Sequence, residues 1–174
     1  MSPAITFVSH STSLDNEAAS PRATSMSRSP NWGTKLAGRP FDAVYSSDLQ
    51  RASKTARIAF ADRGIPLIED ARLRECDYGE LTRAPRETVA AARPNCIERP
   101  FPGGESDNDA TARMRAFLDQ LAAERDGQAV VIVGHRATHD CLVHLATGMP
   151  LADTITRDWE WRPGWDYEYD AEGA

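Results

Sequence analysis

The run Ala129-Val130-Val131-Ile132-Val133 constrains the fold more than any other stretch of the chain. It is unbroken, apolar and rich in β-branched residues. It is far shorter than the ~20 residues of a membrane-spanning helix. It also lacks the alternation that would leave one face in water. Such a run reads as a strand covered on both sides, the condition of parallel strands in α/β proteins. It ends in Gly134-His135-Arg136, and helical spacing then continues through Leu142, Val143 and Leu145 to Gly148. A second run, Ile5-Thr6-Phe7-Val8, stops in the same way, in Ser9-His10-Ser11-Thr12-Ser13.

The remaining signals alternate between strand and helix. Phe41-Asp42-Ala43-Val44-Tyr45-Ser46 reads as a strand. A helix is expected from Asp48 to Asp62, with Asp48 as its N-cap and Gly64 closing it. Ile65 to Ile68 is a short extended piece. A helix is expected near Pro85 to Ala92. Asp107 to Arg125 is amphipathic, with Ala110, Met114, Phe117, Leu118 and Leu121 on one face. The tail, Trp159 to Tyr169, alternates aromatic and polar residues as an edge strand does. This order predicts one α/β domain over residues 1–174, a three-layer α/β/α sandwich on a mostly parallel sheet. Residues 17–35 are poor in apolar period and rich in Ser, and are expected to be a shortened, disordered loop.

Composition excludes several classes of function. The 174 residues carry a formal net charge of -6, which argues against a surface devoted to nucleic acid or to an anionic membrane. No stretch has the make-up of a signal peptide or a membrane span. The three cysteines, Cys76, Cys96 and Cys141, are odd in number and lack paired spacing. They read as free thiols in a reducing compartment, so a cytoplasmic protein is expected.

The chemistry lies where strands end. Open α/β sheets bind ligands beyond the carboxyl ends of their strands, so His10 and His135 are expected at one edge. Arg51 falls at the start of a helix, where an anion is already favoured. A solvated pair with Asp48 is the plainer reading of that arginine. Glu75, in Leu73-Arg74-Glu75-Cys76-Asp77-Tyr78-Gly79-Glu80, has the chemistry of a general acid, or it pairs with Arg72 or Arg74. His135, His139 and His144 are close in sequence, but the position of His135 at a strand end argues against a metal site, and none is expected.

Taken in order, these blocks resemble the histidine phosphatase, or phosphoglycerate mutase-like, superfamily over about residues 4–150. The resemblance rests on His10 with Asn16 after the first strand and on Tyr45-Ser46-Ser47-Asp48-Leu49-Gln50-Arg51-Ala52. It continues through the segment around Glu75, Pro102-Gly103-Gly104-Glu105-Ser106, and Val131-Ile132-Val133-Gly134-His135. It implies a phosphohistidine on His10, Glu75 as proton donor, and Asn16, Arg51 and His135 on the phosphoryl oxygens. The implied substrate is a small phosphorylated molecule, with no cofactor. The implied activity is phosphomonoester hydrolysis. Alternatives are a silent phosphate-binding or interaction protein, a phosphoglycerate mutase-type transferase and a protein phosphohistidine phosphatase.

Two departures carry expectations of their own. The family reads Arg-His-Gly where this chain has Ser9-His10-Ser11. Losing that arginine would cost about 3 kcal/mol, or about a hundredfold in rate. Arg136 is the first candidate to replace it, with Arg74 and Arg22 behind. The family also places a full helix between its first two strands. Its shortening here would leave a sheet face bare, and predicts that the gap is covered by a second copy of the chain in a homodimer or that residues 17–35 are disordered.

Overall fold

The computed structural model describes residues 2–10, 36, 38–160 and 162–171. Five strands, β1 (Ala4–Ser9), β2 (Ala43–Ser46), β3 (Leu67–Glu69), β4 (Ala129–Gly134) and β5 (Trp165–Glu168), form one sheet. Their order is β3-β2-β4-β1-β5. β4 lies parallel to both β1 and β2, β3 is parallel to β2, and β5 closes one edge antiparallel to β1. The central place of β4 explains its sequence. Val130 to Val133 have no exposed surface, so neither side of that strand can carry a polar group cheaply.

Alternate residues of the strands feed two separate cores. Ile5, Phe7, Tyr45, Val130 and Ile132 face two helices, α3 (Asp107–Glu124) and α4 (Arg136–Thr147), meeting Met114, Phe117, Leu118, Cys141 and Leu142. Val8, Val44, Val131 and Val133 point the other way, to Ala52, Ala56 and Phe60 of α1 (Gln50–Phe60). The two further helices are α2 (Arg86–Ala92) and α5 (Leu151–Thr156). The period of two along each strand thus makes the three layers. None of the described helices is long and apolar enough to cross a membrane.

Three local features differ from expectation. Asp48 does not cap α1: the N-cap is Leu49, with no side-chain bond. The Asp48 carboxylate instead takes two donors from Arg74, at 2.8 and 2.6 Å, a stronger arrangement than a single backbone cap. The tail pairs only over Trp165–Glu168. The turn α5 was not foreseen, because six residues are too few to show a helical period.

Residues 17–35, for which a disordered loop was expected, lie outside the described residues. At the β1–β5 edge one sheet face carries polar groups. The Thr6 hydroxyl donates to Asp166 at 2.6 Å, and Arg39 donates to both Asp166 and Thr6, at 2.9 and 3.1 Å. Ala4 and Glu168 on the same face are exposed.

Candidate active site

Strand register brings the two histidines together. Ser9 of β1 pairs with Gly134 of β4, the last residue of each strand. The next residues are therefore His10 and His135, and the His10 N–H donates to the Gly134 carbonyl at 3.1 Å. Their ring centroids lie 4.9 Å apart, at 56°. The end of β4 is closely packed at Gly134. A Cβ there would meet the Phe7 ring and the Thr138 hydroxyl, both at 2.9 Å.

His135 is buried and heads α4. Its N–H donates to the Thr138 hydroxyl at 2.8 Å. Its Nδ1 accepts from Arg51 Nε at 3.2 Å, because the first turn of α1 starts just beyond the end of β2. Accepting at Nδ1 leaves the ring proton on Nε2. Burial, then the neighbouring His10 and Arg51, push the His135 pKa down to about 2, so the ring is neutral. Its Nε2 is buried and has no hydrogen-bond partner among the described residues. An unmatched buried donor costs about 1–3 kcal/mol, and such a group marks a place for an acceptor.

Glu75 stands at the same helix end. Its Oε1 accepts from the Ala137 N–H at 3.0 Å, from the Cys76 N–H at 3.1 Å and from the Tyr78 hydroxyl at 3.4 Å. Neither expected pairing, with Arg72 or with Arg74, is made. Arg72 binds Asp70, and Arg74 binds Asp48. The Arg74 hydrogen bond in turn holds the Asp48 carboxyl below the usual range. Cys76, next to Glu75, is a buried thiol whose pKa burial pushes far up.

Ser9 is half-buried at the end of β1. Asn16 and Arg22 lie outside the described residues. Arg136, the first candidate to replace the missing arginine, has partners of its own. Its guanidinium donates to Asp140 at 3.0 and 2.9 Å and to the Arg157 carbonyl at 2.9 Å. It also stacks 4.9 Å from the Trp159 ring centroid. Those partners engage Nε and Nη2, and the backbone N–H of Arg136 stands at the opening of α4, where an anion is favoured. The three sequence-close histidines have separate surroundings. His139 sits among Phe7, Trp159, Trp165 and Tyr167, and His144 binds the Met149 carbonyl. No group of three or more metal-ligating side chains occurs among the described residues. A surface groove of about 580 Å³ runs past His144, Gly148 and Asp170, at the far end of α4 from the histidine pair.

Sequence reasoning gave no role to two residues that shape the site, Arg113 and Glu105, the second named only within the Pro102–Ser106 block. They form an ion pair at 2.7 Å and bind the backbone around Glu75. Arg113 follows the capping box of α3, in which Ser106 and Asp109 cap each other's backbone. That Ser-x-x-Asp pattern was readable, but the target of Arg113 was not.

The family model of the histidine phosphatase superfamily (branch 1) matches residues 23–161, and the chain belongs to that superfamily. A Hydrogenobacter thermophilus relative carrying a phosphoserine phosphatase name is 32% identical over 118 residues, 63% of this chain and 58% of that protein. The adenosylcobalamin/alpha-ribazole phosphatase of Salmonella typhimurium is 31% identical over 127 residues, 68% of this chain and 63% of its own. The chain thus spans less than two-thirds of the length of both relatives. A mycobacterial glucosyl-3-phosphoglycerate phosphatase, solved with VO3, superposes with a TM-score of 0.71 at 25% identity, over 87% of this chain and 85% of that one. Phosphoglycerate mutases are among the relatives as well.

Proposed function

We propose that the chain is a metal-independent phosphomonoester hydrolase acting on a small phosphorylated molecule through His10. The observation that carries this reading is the neutral, buried His135, whose Nε2–H is unspent beside the His10 ring. A phosphoryl oxygen supplies the acceptor that this donor lacks. Arg51 and the first N–H groups of α4 add positive potential on the same side. In the first step a ring nitrogen of His10 bonds to phosphorus, and the ester P–O bond breaks. The leaving oxygen takes a proton from Glu75. In the second step water attacks phosphorus and the P–N bond breaks. Glu75 takes back the water's proton, and inorganic phosphate leaves. Asn16 and Ser9 are proposed as further donors to the phosphoryl group.

The test is turnover of p-nitrophenyl phosphate in the presence of a chelator, with His10→Ala as control. Acid-labile, base-stable phosphoenzyme is expected on wild-type protein alone. Turnover that survives His10→Ala overturns the reading. One observation favours a second reading, a phosphate-binding protein without turnover. Both Arg136 and Arg74, candidates for the arginine that the resemblance implies at the position of Ser9, are engaged elsewhere. Phosphate binding without hydrolysis of any ester in a panel would establish that alternative.

A further inference from the structure

The segment that carries Glu75 has almost no regular structure of its own. A single 3₁₀ turn, Ala71–Leu73, precedes it, and another, Gly79–Leu81, follows. Its backbone groups end instead on one side-chain pair. Arg113 Nη1 donates to the Arg72 carbonyl at 2.5 Å, and Nη2 donates to the Glu75 carbonyl at 3.2 Å. The same guanidinium grips Glu105 through Nε at 3.2 Å and Nη2 at 2.7 Å. Glu105 Oε1 accepts the Asp77 N–H at 2.9 Å, and the Glu105 N–H donates to the Asp77 carbonyl at 2.9 Å. The pair therefore holds the chain at residues 72, 75 and 77, on both sides of the Glu75 side chain. Its side chains are about four-fifths buried, where a bidentate ion pair is stiff and weakly screened.

We infer that Arg113 and Glu105 are positioning residues that aim Glu75 at the leaving-group oxygen. This inference rests on the hydrolase reading above. The Glu75 carboxyl is fixed at one oxygen by the start of α4, and no described residue donates to Oε2. Where Oε2 points is thus decided by the path of the backbone, which the Arg113–Glu105 pair sets. A proton donor displaced by about 1 Å loses much of its effect. That loss depends on the leaving group. A p-nitrophenolate departs with little protonation, whereas an alkoxide needs the proton in the transition state.

The experiment compares kcat/KM for p-nitrophenyl phosphate and glycerol phosphate in wild type, Arg113→Lys and Glu105→Gln, with a thermal melt of each. kcat/KM is read because it ends at leaving-group departure and excludes the later hydrolysis of the phosphoenzyme. Both variants are expected to lose about tenfold to a hundredfold on glycerol phosphate and less than about threefold on the nitrophenyl ester. Their melts should show a folded protein. Equal losses on both esters, or none, overturn the inference and leave the hydrolase reading standing. Unfolding of both variants also overturns it, since the pair would then be holding the fold rather than aiming the acid. A wild-type protein that hydrolyses neither ester overturns both readings.

Discussion

At the residue scale, the state of His135 follows from its neighbours. Arg51 supplies the Nε donor that fixes the tautomer and a charge that disfavours an imidazolium. Lysine would keep the charge and lose the directed N–H. Arg51→Lys is therefore expected to lower aryl phosphate turnover by about a hundredfold, with the melting temperature little changed. Arg51→Ala should in addition raise the His135 pKa, visible in its ring resonances on acid titration. His139 gives a separate test of the same physics. Burial, then the charges of Arg157 and Arg136, hold it down at about 3. Its Nδ1 meets Arg157 at 3.0 Å and its Nε2 meets the Tyr167 hydroxyl at 2.8 Å. A histidine depressed from about 6.5 unfolded to about 3 folded leaves the unfolded chain holding more protons between those values. Its contribution to stability is intact above pH 6.5 and is lost as the pH falls towards 3, by about 1.4 kcal/mol per pH unit. Burial raises Asp107 and Asp140, so they act in the opposite sense; a comparison with wild type cancels them. His139→Gln keeps polar groups for both partners and removes the titration. It should be less stable than wild type at pH 7, by about 1–2 kcal/mol. It should gain on wild type steadily below pH 6.5 in urea melts, and parallel pH profiles would refute the assignment.

At the scale of elements, legibility follows the source of the order. β4, α3 and α4 are ordered by periodic apolar burial, which a sequence displays directly: Val130 to Val133 and the Met114–Leu121 stripe are both core. The histidine pair was legible too, because strand ends in a parallel sheet share an edge. Within residues 70–105 the helix expected near Pro85 to Ala92 was legible, and it is α2, Arg86–Ala92; the rest of that segment was not. Its order comes from bonds such as Arg113 to the Glu75 carbonyl, 38 residues apart, and from backbone packed on backbone. Gly79, at φ +51°, illustrates the second kind. A Cβ there would lie 2.1 Å from the Pro102 carbonyl oxygen, and at Gly104 one would lie 2.2 Å from the Asp77 carbonyl oxygen. Neither obstacle is a side chain that can turn away. Gly79→Ala is expected to cost about 2–4 kcal/mol and to lower activity on alkyl phosphates by displacing Glu75. Gly103→Ala, also at positive φ but with nothing near its Cβ, should cost only the strain, about 1–2 kcal/mol. Equal costs in urea melts would show that backbone strain, not close approach, sets the requirement at Gly79.

At the scale of the whole molecule, a buried ionic cluster joins elements that the sheet does not. Arg93, just past α2, donates to Asp107 at the start of α3 at 2.6 Å and to Asp140 of α4 at 2.8 Å. Arg136 reaches Asp140 from the same helix, and Arg157, beyond α5, lies 3.5 Å from it. Both carboxylates are fully buried, and the Arg93 side chain is 6% exposed. Burial pushes both carboxyls upward against the pull of the arginines. The net value of such a cluster over an apolar core is small, because its members are costly to desolvate. Its integrity matters far more than its net value. Removing one member leaves the others charged, buried and unmatched, at about 3–5 kcal/mol. Asp140→Asn keeps the volume and removes the charge that Arg93, Arg136 and Arg157 share. It should lose about that amount in urea unfolding. Arg136→Ala should lose far less, about 1 kcal/mol or below, because its side chain is 23% exposed and Arg93 still neutralises Asp140. The contrast discriminates between a cluster that locks α2, α3 and α4 together and a set of independent surface pairs. Of these two variants the first predicts a large cost for Asp140→Asn alone, and similar small costs for both would leave the second.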